Sequence, residues 1–414
     1  MNTNLPILII GGGIVGLTLA QALHKARIPS IVFERDVSSL SVGGWGITVH
    51  WALPAFESCL PPHIFNRLRD IQVDPEQGKN DTGRFVFLDL SNAEPRYIIP
   101  PSKRLRIHRK KLRTLLTEGV PVVWHKSLLS FTQTSGSILA HFEDGTTVEG
   151  ALLVGADGSS SRTRRLLYAG TADPDAWKLN QLPVRFMGVT MRLAPFQAQV
   201  LREIDPLLFQ GSHPTSGVFL WYSILSTPEV NGSGGIALTP EYYEAQLCLS
   251  WRSTENDVPV TNQDRVAKMK FMARNFEERL RNAVWNIPDD AEVLEINIQD
   301  WPTQRWDNKE GLVTLCGDAA HAMTMYRGEA FNHGITDAAR LSERIIEAYV
   351  GGYDAERLHQ AVDSYEVEMR ERTRDAVLLS RQACLDAHDI DRLGPQSPLV
   401  SKRAKVLEPG QMAS

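Results

Sequence analysis

Three glycines, Gly11, Gly13 and Gly16, stand between the apolar run "LPILII" and the stretch "IVGLTLAQALHK", whose apolar residues recur at helical spacing. This G-x-G-x-x-G arrangement constrains the chain more than any other feature, because each glycine has a mechanical task. The turn needs an unhindered backbone, a pyrophosphate must approach the main chain, and the helix must lie close to the strand. The run before it lacks polar alternation, as expected of a parallel strand covered on both faces. "SIVFER" then supplies a second β-branched strand, so the segment reads as a strand–helix–strand crossover unit of about thirty residues. The helix start offers free N–H groups and a partial positive charge to phosphate. Glu34 ends the second strand, 18 residues beyond Gly16, in position to accept hydrogen bonds from a ribose diol. The motif predicts a bound dinucleotide without separating NAD from FAD.

Farther along, the pattern changes twice. Residues 76–103 are polar and loop-rich, after which "RLRIHRKKLRTLL" resumes helical periodicity and strands joined by turns run to "GADG". From Leu182 to Ile298 come separated strands such as "GVFLWYSIL" and "YEAQLCLSW", with one helix from Gln263 to Trp285. "GLVTLCGD" then returns to an apolar strand ending in glycine, followed by helices to about Ala387. The expected fold is α/β: a doubly wound domain with a parallel sheet (1–75, 104–180 and 299–387) and an inserted, mostly antiparallel substrate domain (76–103 and 181–298). Residues 388–414, with Pro395, Pro398, Pro409 and few apolar side chains, are expected to form a C-terminal tail.

Charge and composition exclude several classes. The net charge of −5 gives no electrostatic case for nucleic acid or an anionic membrane surface. No apolar run approaches the ~18 residues a membrane-spanning helix needs, and too few residues precede the first strand for a signal peptide. Cys59, Cys248, Cys316 and Cys384 lie far apart, as reduced thiols rather than a disulfide framework or metal knuckle. His321 and His333 have no carboxylate at ligand spacing, so no metal is expected. The basic run "RIHRKKLR" has the periodicity of one exposed helix face and is read as solvated apart from Arg109. A cytoplasmic protein acting on a small molecule, as a monomer or weak homodimer, is the expectation.

"GADGSSSRTRR" from Gly155 and "GDAAHAMTMYRGEAFNHGI" from Gly317, together with the first glycines, resemble the three fingerprints of class A flavin-dependent aromatic monooxygenases, the para-hydroxybenzoate hydroxylase fold. They occur in the family's order and cover nearly the whole chain. The resemblance implies FAD as cofactor and NAD(P)H as co-substrate. It implies that the reduced flavin adds O₂ and that the resulting C4a-hydroperoxide hydroxylates or epoxidises an aromatic or other secondary-metabolite-like molecule. By the same resemblance Asp157 lies near the flavin and nicotinamide routes, with Ser161 and Arg164 completing its motif, and Arg109 approaches FAD from a helix start. A cofactor that long needs its far end held by elements distant from the first turn. Asp318 is the candidate for the ribityl hydroxyls, and a helix start near Ala330 and Asn332 for charge on the reduced ring. Arg35 and Gly46 complete the cofactor candidates.

The chain departs from the commoner family pattern in two places. Met325 stands where many members have proline, losing its fixed φ, and Ala330 replaces a glycine, limiting positive φ. "RGEAFNH" and "WGITVHWALPAFESCLPP" resemble fungal secondary-metabolite members. Trp221, Tyr222, Trp251, His50 and Trp51 are candidate substrate walls, although neighbours on a strand face opposite sides, so Trp221 and Tyr222 cannot share one pocket. His50 is the candidate catalytic base for a phenol or indole proton, the alternative being a structural histidine. Other readings on the same fold are an oxidase or dehydrogenase, a Baeyer–Villiger-type oxygenase, or a flavin-binding protein without turnover.

Overall fold

The strand Ile7–Ile10 is buried along its whole length and pairs in parallel on both sides. In the computed structural model, which describes residues 5–39, 45–235, 240–391 and 393–401, it is the centre of a five-stranded sheet. The order is Val313–Leu315, Leu152–Gly155, Ile7–Ile10, Ser30–Phe33, Val122–Val123, and every pairing is parallel. Register sets Ile10 beside Gly155 and Phe33, and Gly155 beside Leu315. The carboxyl ends that carry the three glycine motifs and Glu34 therefore finish side by side, where open α/β sheets bind ligands. The helices Ile14–Lys25, Ala330–Tyr349 and Ala355–Asp386 pack into the same apolar core.

A second sheet has seven strands, in the order Val293–Glu295, Val184–Leu193, Tyr243–Arg252, Phe219–Ser226, Leu208–Ser212, Phe85–Asp89, Glu94–Ile99. Only Leu208–Ser212 with Phe85–Asp89 is parallel. This corrects the loop-rich reading of residues 76–103. Val86, Phe87 and Leu88 are buried, while Glu94, Pro95 and Arg96 are exposed on the outermost strand. Proline and charge there mark a sheet edge rather than a loop. The single helix expected from Gln263 to Trp285 is two, Asn262–Met272 and Glu278–Trp285. Buried Phe276 is extended between them, and the Glu277 carboxylate accepts from the N–H groups of Arg279 and Leu280 to start the second helix.

The expected C-terminal tail is corrected for residues 388–391 and 393–401; residues 392 and 402–414, including Pro409, lie outside the described part. Leu393, Leu399 and Val400 are buried in a cluster with Phe87, Phe186 and Phe219 of the second sheet and with Tyr326. Ser212 Oγ donates to Ala387 O (2.6 Å), Tyr97 Oη to Leu393 O (2.8 Å), and Arg327 to Pro398 O. Few apolar residues are needed, because almost all of them are inserted. His388 donates from Nδ1 to Cys384 O (2.7 Å) and accepts at Nε2 from Ser250 Oγ (2.9 Å), which itself accepts from Tyr326 Oη (2.9 Å).

Burial, with a smaller opposing effect from the Cys384 carbonyl, pushes the His388 imidazole down from its ordinary value to about 4. The native state keeps it neutral while the unfolded chain protonates it from about pH 6.5 downward, so stability is lost as pH falls across that interval. Between pH 7 and pH 4 this one group is expected to remove about 3 kcal/mol. Urea unfolding at both pH values checks it: His388→Gln should flatten the difference by that amount, and an unchanged pH dependence refutes the assignment.

Candidate active site

The first glycine turn is built by close approach. Gly11 has φ +112°, and a Cβ there would lie 2.4 Å from Ala156 O at the end of the neighbouring strand. Gly13 precedes the helix Ile14–Lys25 with no side-chain cap and with open space where its Cβ would be. The helix's first N–H groups are thus left for an external acceptor. Glu34 is held in place from three directions: it accepts from Gly12 N (2.7 Å) and Asp36 N (2.9 Å) and lies 3.2 Å from Arg113 Nη2. Arg113 also donates to Gly12 O (2.8 Å) and Asp36 Oδ2 (2.9 Å). Sequence reading missed this arginine by assigning the run to solvent; its signal was its place one helical turn after Arg109.

Gly11, Gly13, Glu34, Arg35, Arg109 and Asp157 line one cavity of about 770 Å³. Arg109 opens the helix Arg109–Leu116, and its guanidinium makes no hydrogen bond or ion pair among the described residues. Its surroundings desolvate it, lowering its pKa, against an opposing attraction from Asp318.

The far glycine turn is fixed from inside. Gly317 has φ +65°, and its N–H donates to Asp337 Oδ2 (2.7 Å). The same oxygen accepts from His321 Nε2 (2.5 Å), while Asp337 Oδ1 pairs with Arg372 Nη2 (2.7 Å). Burial alone would raise the Asp337 pKa, but His321 and Arg372 hold it down to about 2. Val15, from the first turn, packs where Cβ atoms on Gly317 and Gly334 would fall, at 3.2 and 2.6 Å. The two turns are one packed unit. Asp318, next to Gly317, is only partly buried, and its carboxylate accepts no hydrogen bond among the described residues. Burial raises its pKa, against attraction from His321, Arg109 and Arg164.

The second motif acts as a fastening. Asp157 accepts from Ser161 Oγ, Thr163 N (2.9 Å) and Thr163 Oγ1 (3.0 Å). Arg164 is fully buried and donates to the carbonyls of Trp177, Ser159, Asp318 and Ala319, so it joins this motif to the third.

Other candidates fall elsewhere. Asn332 donates to Thr48 O (3.1 Å) and accepts from His50 N (3.0 Å), so its amide joins a strand to a helix. Gly46 lies over Arg106, where a Cβ would come within 2.6 Å of the guanidinium. Ala330 is the first residue of its helix, and the left-handed position is Gly328 (φ +64°), so no positive φ is demanded of Ala330. Met325 starts a short 3₁₀ turn, and in place of proline's fixed φ the loop is anchored by Thr324 to Ser380 O (2.7 Å) and by Arg327 to Glu329 and Pro398. Tyr222 is buried, stacked on Phe209, and Trp251 bonds Asp257, leaving half-buried Trp221 and Trp51 as the wall candidates with unburied surface. Among the described residues no three His, Cys, Asp or Glu side chains are grouped to hold a metal, and no helix is long and apolar enough to cross a membrane.

Residues 105–380 match the family model described as an FAD binding domain. FAD-dependent monooxygenase dbaB of Emericella nidulans is 53% identical over 83% of this chain and 88% of its own. FAD-dependent monooxygenase cctM of Talaromyces islandicus is 30% identical over 96% of each. In the fold, 2,6-dihydroxypyridine-3-hydroxylase of Arthrobacter nicotinovorans superposes with a TM-score of 0.76 at 19% identity, over 98% of this chain and 99% of that one.

Asp337→Asn removes the buried charge that pairs with Arg372 and an acceptor of the Gly317 N–H and the His321 ring, and is expected to cost about 3–5 kcal/mol. Chemical denaturation checks this; a loss below about 1 kcal/mol would show the network to be dispensable.

Proposed function

The chain belongs to the family of FAD-dependent monooxygenases carrying this FAD-binding domain, and on that premise we propose that it uses NAD(P)H and O₂ to place one oxygen atom on an aromatic, secondary-metabolite-like small molecule. The observation that carries the reading is a cavity whose polar groups suit the parts of a dinucleotide: an uncapped helix start at Gly13 for phosphate, Glu34 for a ribose, and Arg109, without a partner among the described residues, for a second phosphate. Outside that lining, the Asp318 carboxylate, which accepts no hydrogen bond among the described residues, suits a run of hydroxyls. Gly11 and Gly16 keep the strand and helix close enough for that approach.

Bound FAD supplies the redox chemistry, accepting a hydride and activating dioxygen. This chain's residues bind, orient and shield it. The start of the helix Ala330–Tyr349 has no side-chain cap, so its N–H groups place partial positive charge toward the loop 324–329. Asp157 holds the start of Arg162–Tyr168 through Thr163, and His50, fixed at its main chain by Asn332, is the candidate proton acceptor from substrate. The substrate lies between the second sheet and the cofactor. Aromatic hydroxylation is favoured by the half-buried Trp45 and Trp221, packed against the second sheet, and by the activity named for the structurally similar Arthrobacter protein.

Purified protein should be yellow, oxidise NAD(P)H faster with an aromatic substrate than without, and transfer label from ¹⁸O₂ to product. Product lacking the label would eliminate monooxygenation. Asp318→Ala should weaken FAD retention about 10- to 100-fold, the loss of one or two charge-assisted hydrogen bonds; equilibrium dialysis showing unchanged retention refutes that role.

A further inference from the structure

Five arginines are buried among the described residues: Arg104, Arg106, Arg113, Arg164 and Arg327. Three have carboxylate partners: Arg104 with Asp81, Arg113 with Glu34 and Asp36, and Arg327 with Glu329. Arg164 sits in a cage of four carbonyls. Arg106 differs. It is 4% exposed, yet among the described residues its only side-chain partners are two neutral hydroxyls, Thr48 Oγ1 on Nη1 (2.9 Å) and Ser223 Oγ on Nη2 (2.8 Å), and its Nε has no partner there. A buried cation without an anion costs several kcal/mol, and a guanidinium presents five N–H donors, so this arrangement is incomplete as it stands. The desolvation pushes its pKa down to about 9, and the nearby Arg104 adds to the effect.

The position of this charge suits a ligand. Arg106 lies where the strand Leu105–His108, paired with Gly46–Val49, meets the strand Phe219–Ser226 of the second sheet. Its guanidinium is 5.8 Å from the Trp221 ring, and Trp221, Trp45 and Thr48 are only half-buried around it. Gly46 contributes no side chain above it, where a Cβ would come within 2.6 Å. Thr48 also accepts, at its carbonyl, from Asn332 of the helix that begins at Ala330, which links this charge to the flavin side.

We propose that Arg106, whose guanidinium lies under the Gly46 backbone, is the docking point for an acidic group of the substrate, an ionised phenol, enol or carboxylate on a planar ring, held on the Trp221 side. The proposal deepens the oxygenase reading and rests on it for the word substrate. It makes Arg106 a specificity residue contacting substrate, distinct from any group that touches the flavin.

The test uses the FAD-loaded protein and a pair of probes of equal shape, benzoate and benzamide, followed by tryptophan fluorescence and thermal shift. Benzoate is expected to bind about tenfold or more tighter than benzamide, one charge-assisted hydrogen bond's worth. Arg106→Met should erase that preference and Arg106→Lys should keep part of it. Equal binding of the two probes to the wild-type protein, which needs no variant to fold, overturns the proposal, as does a preference that survives in Arg106→Met. Oxygen transfer is read separately with ¹⁸O₂: its failure would sink the oxygenase reading while the anion preference stood, and the reverse outcome would remove only Arg106.

Discussion

One wholly buried carboxylate, Asp337, sets the geometry of the cofactor end of this molecule. It accepts at once from the Gly317 main chain, the His321 ring and the Arg372 guanidinium. A strand end, a short helix and the long helix Ala355–Asp386 are thereby fixed to a single pair of oxygens. Desolvation of the charge is expensive, and it is tolerated because all three donors are already in place. With Gly317 pinned from behind, the Asp318 carboxylate accepts no hydrogen bond among the described residues. Its readiness for an outside donor thus follows from its neighbour's constraint.

The parallel sheet and its motifs were legible because their requirements are local. A glycine that must have positive φ, an apolar run covered on both faces and an acid at a strand end each leave a mark within a few residues, and Gly11, Ile7–Ile10 and Glu34 carry those marks. The seven-stranded sheet was legible in type but not in extent. Its outer strands borrow their stability from Leu208–Ser212, more than a hundred residues later, and a polar edge strand looks like a loop in isolation.

The illegible parts share one cause: a partner remote in sequence. Arg113 looks like its basic neighbours until Glu34 is beside it, and the bridge that the Asn332 amide makes between Thr48 and His50 leaves no local mark. Likewise, the concern over Met325 and Ala330 came from judging a loop by its own torsions. Here the conformation is held by Gly328 and by anchors on Ser380 and Pro398, so neither residue has to supply it.

The segment 387–401 touches the second sheet at Ser212 and Tyr97 and the loop before Ala330 at Arg327. It is translated after every element it fastens. During synthesis both sheets can form while the loop between them still lacks its last anchor, so a ribosome-bound chain would expose an unfinished cofactor cleft. Completion of that cleft, and durable retention of whatever fills it, therefore waits on a segment made after both sheets.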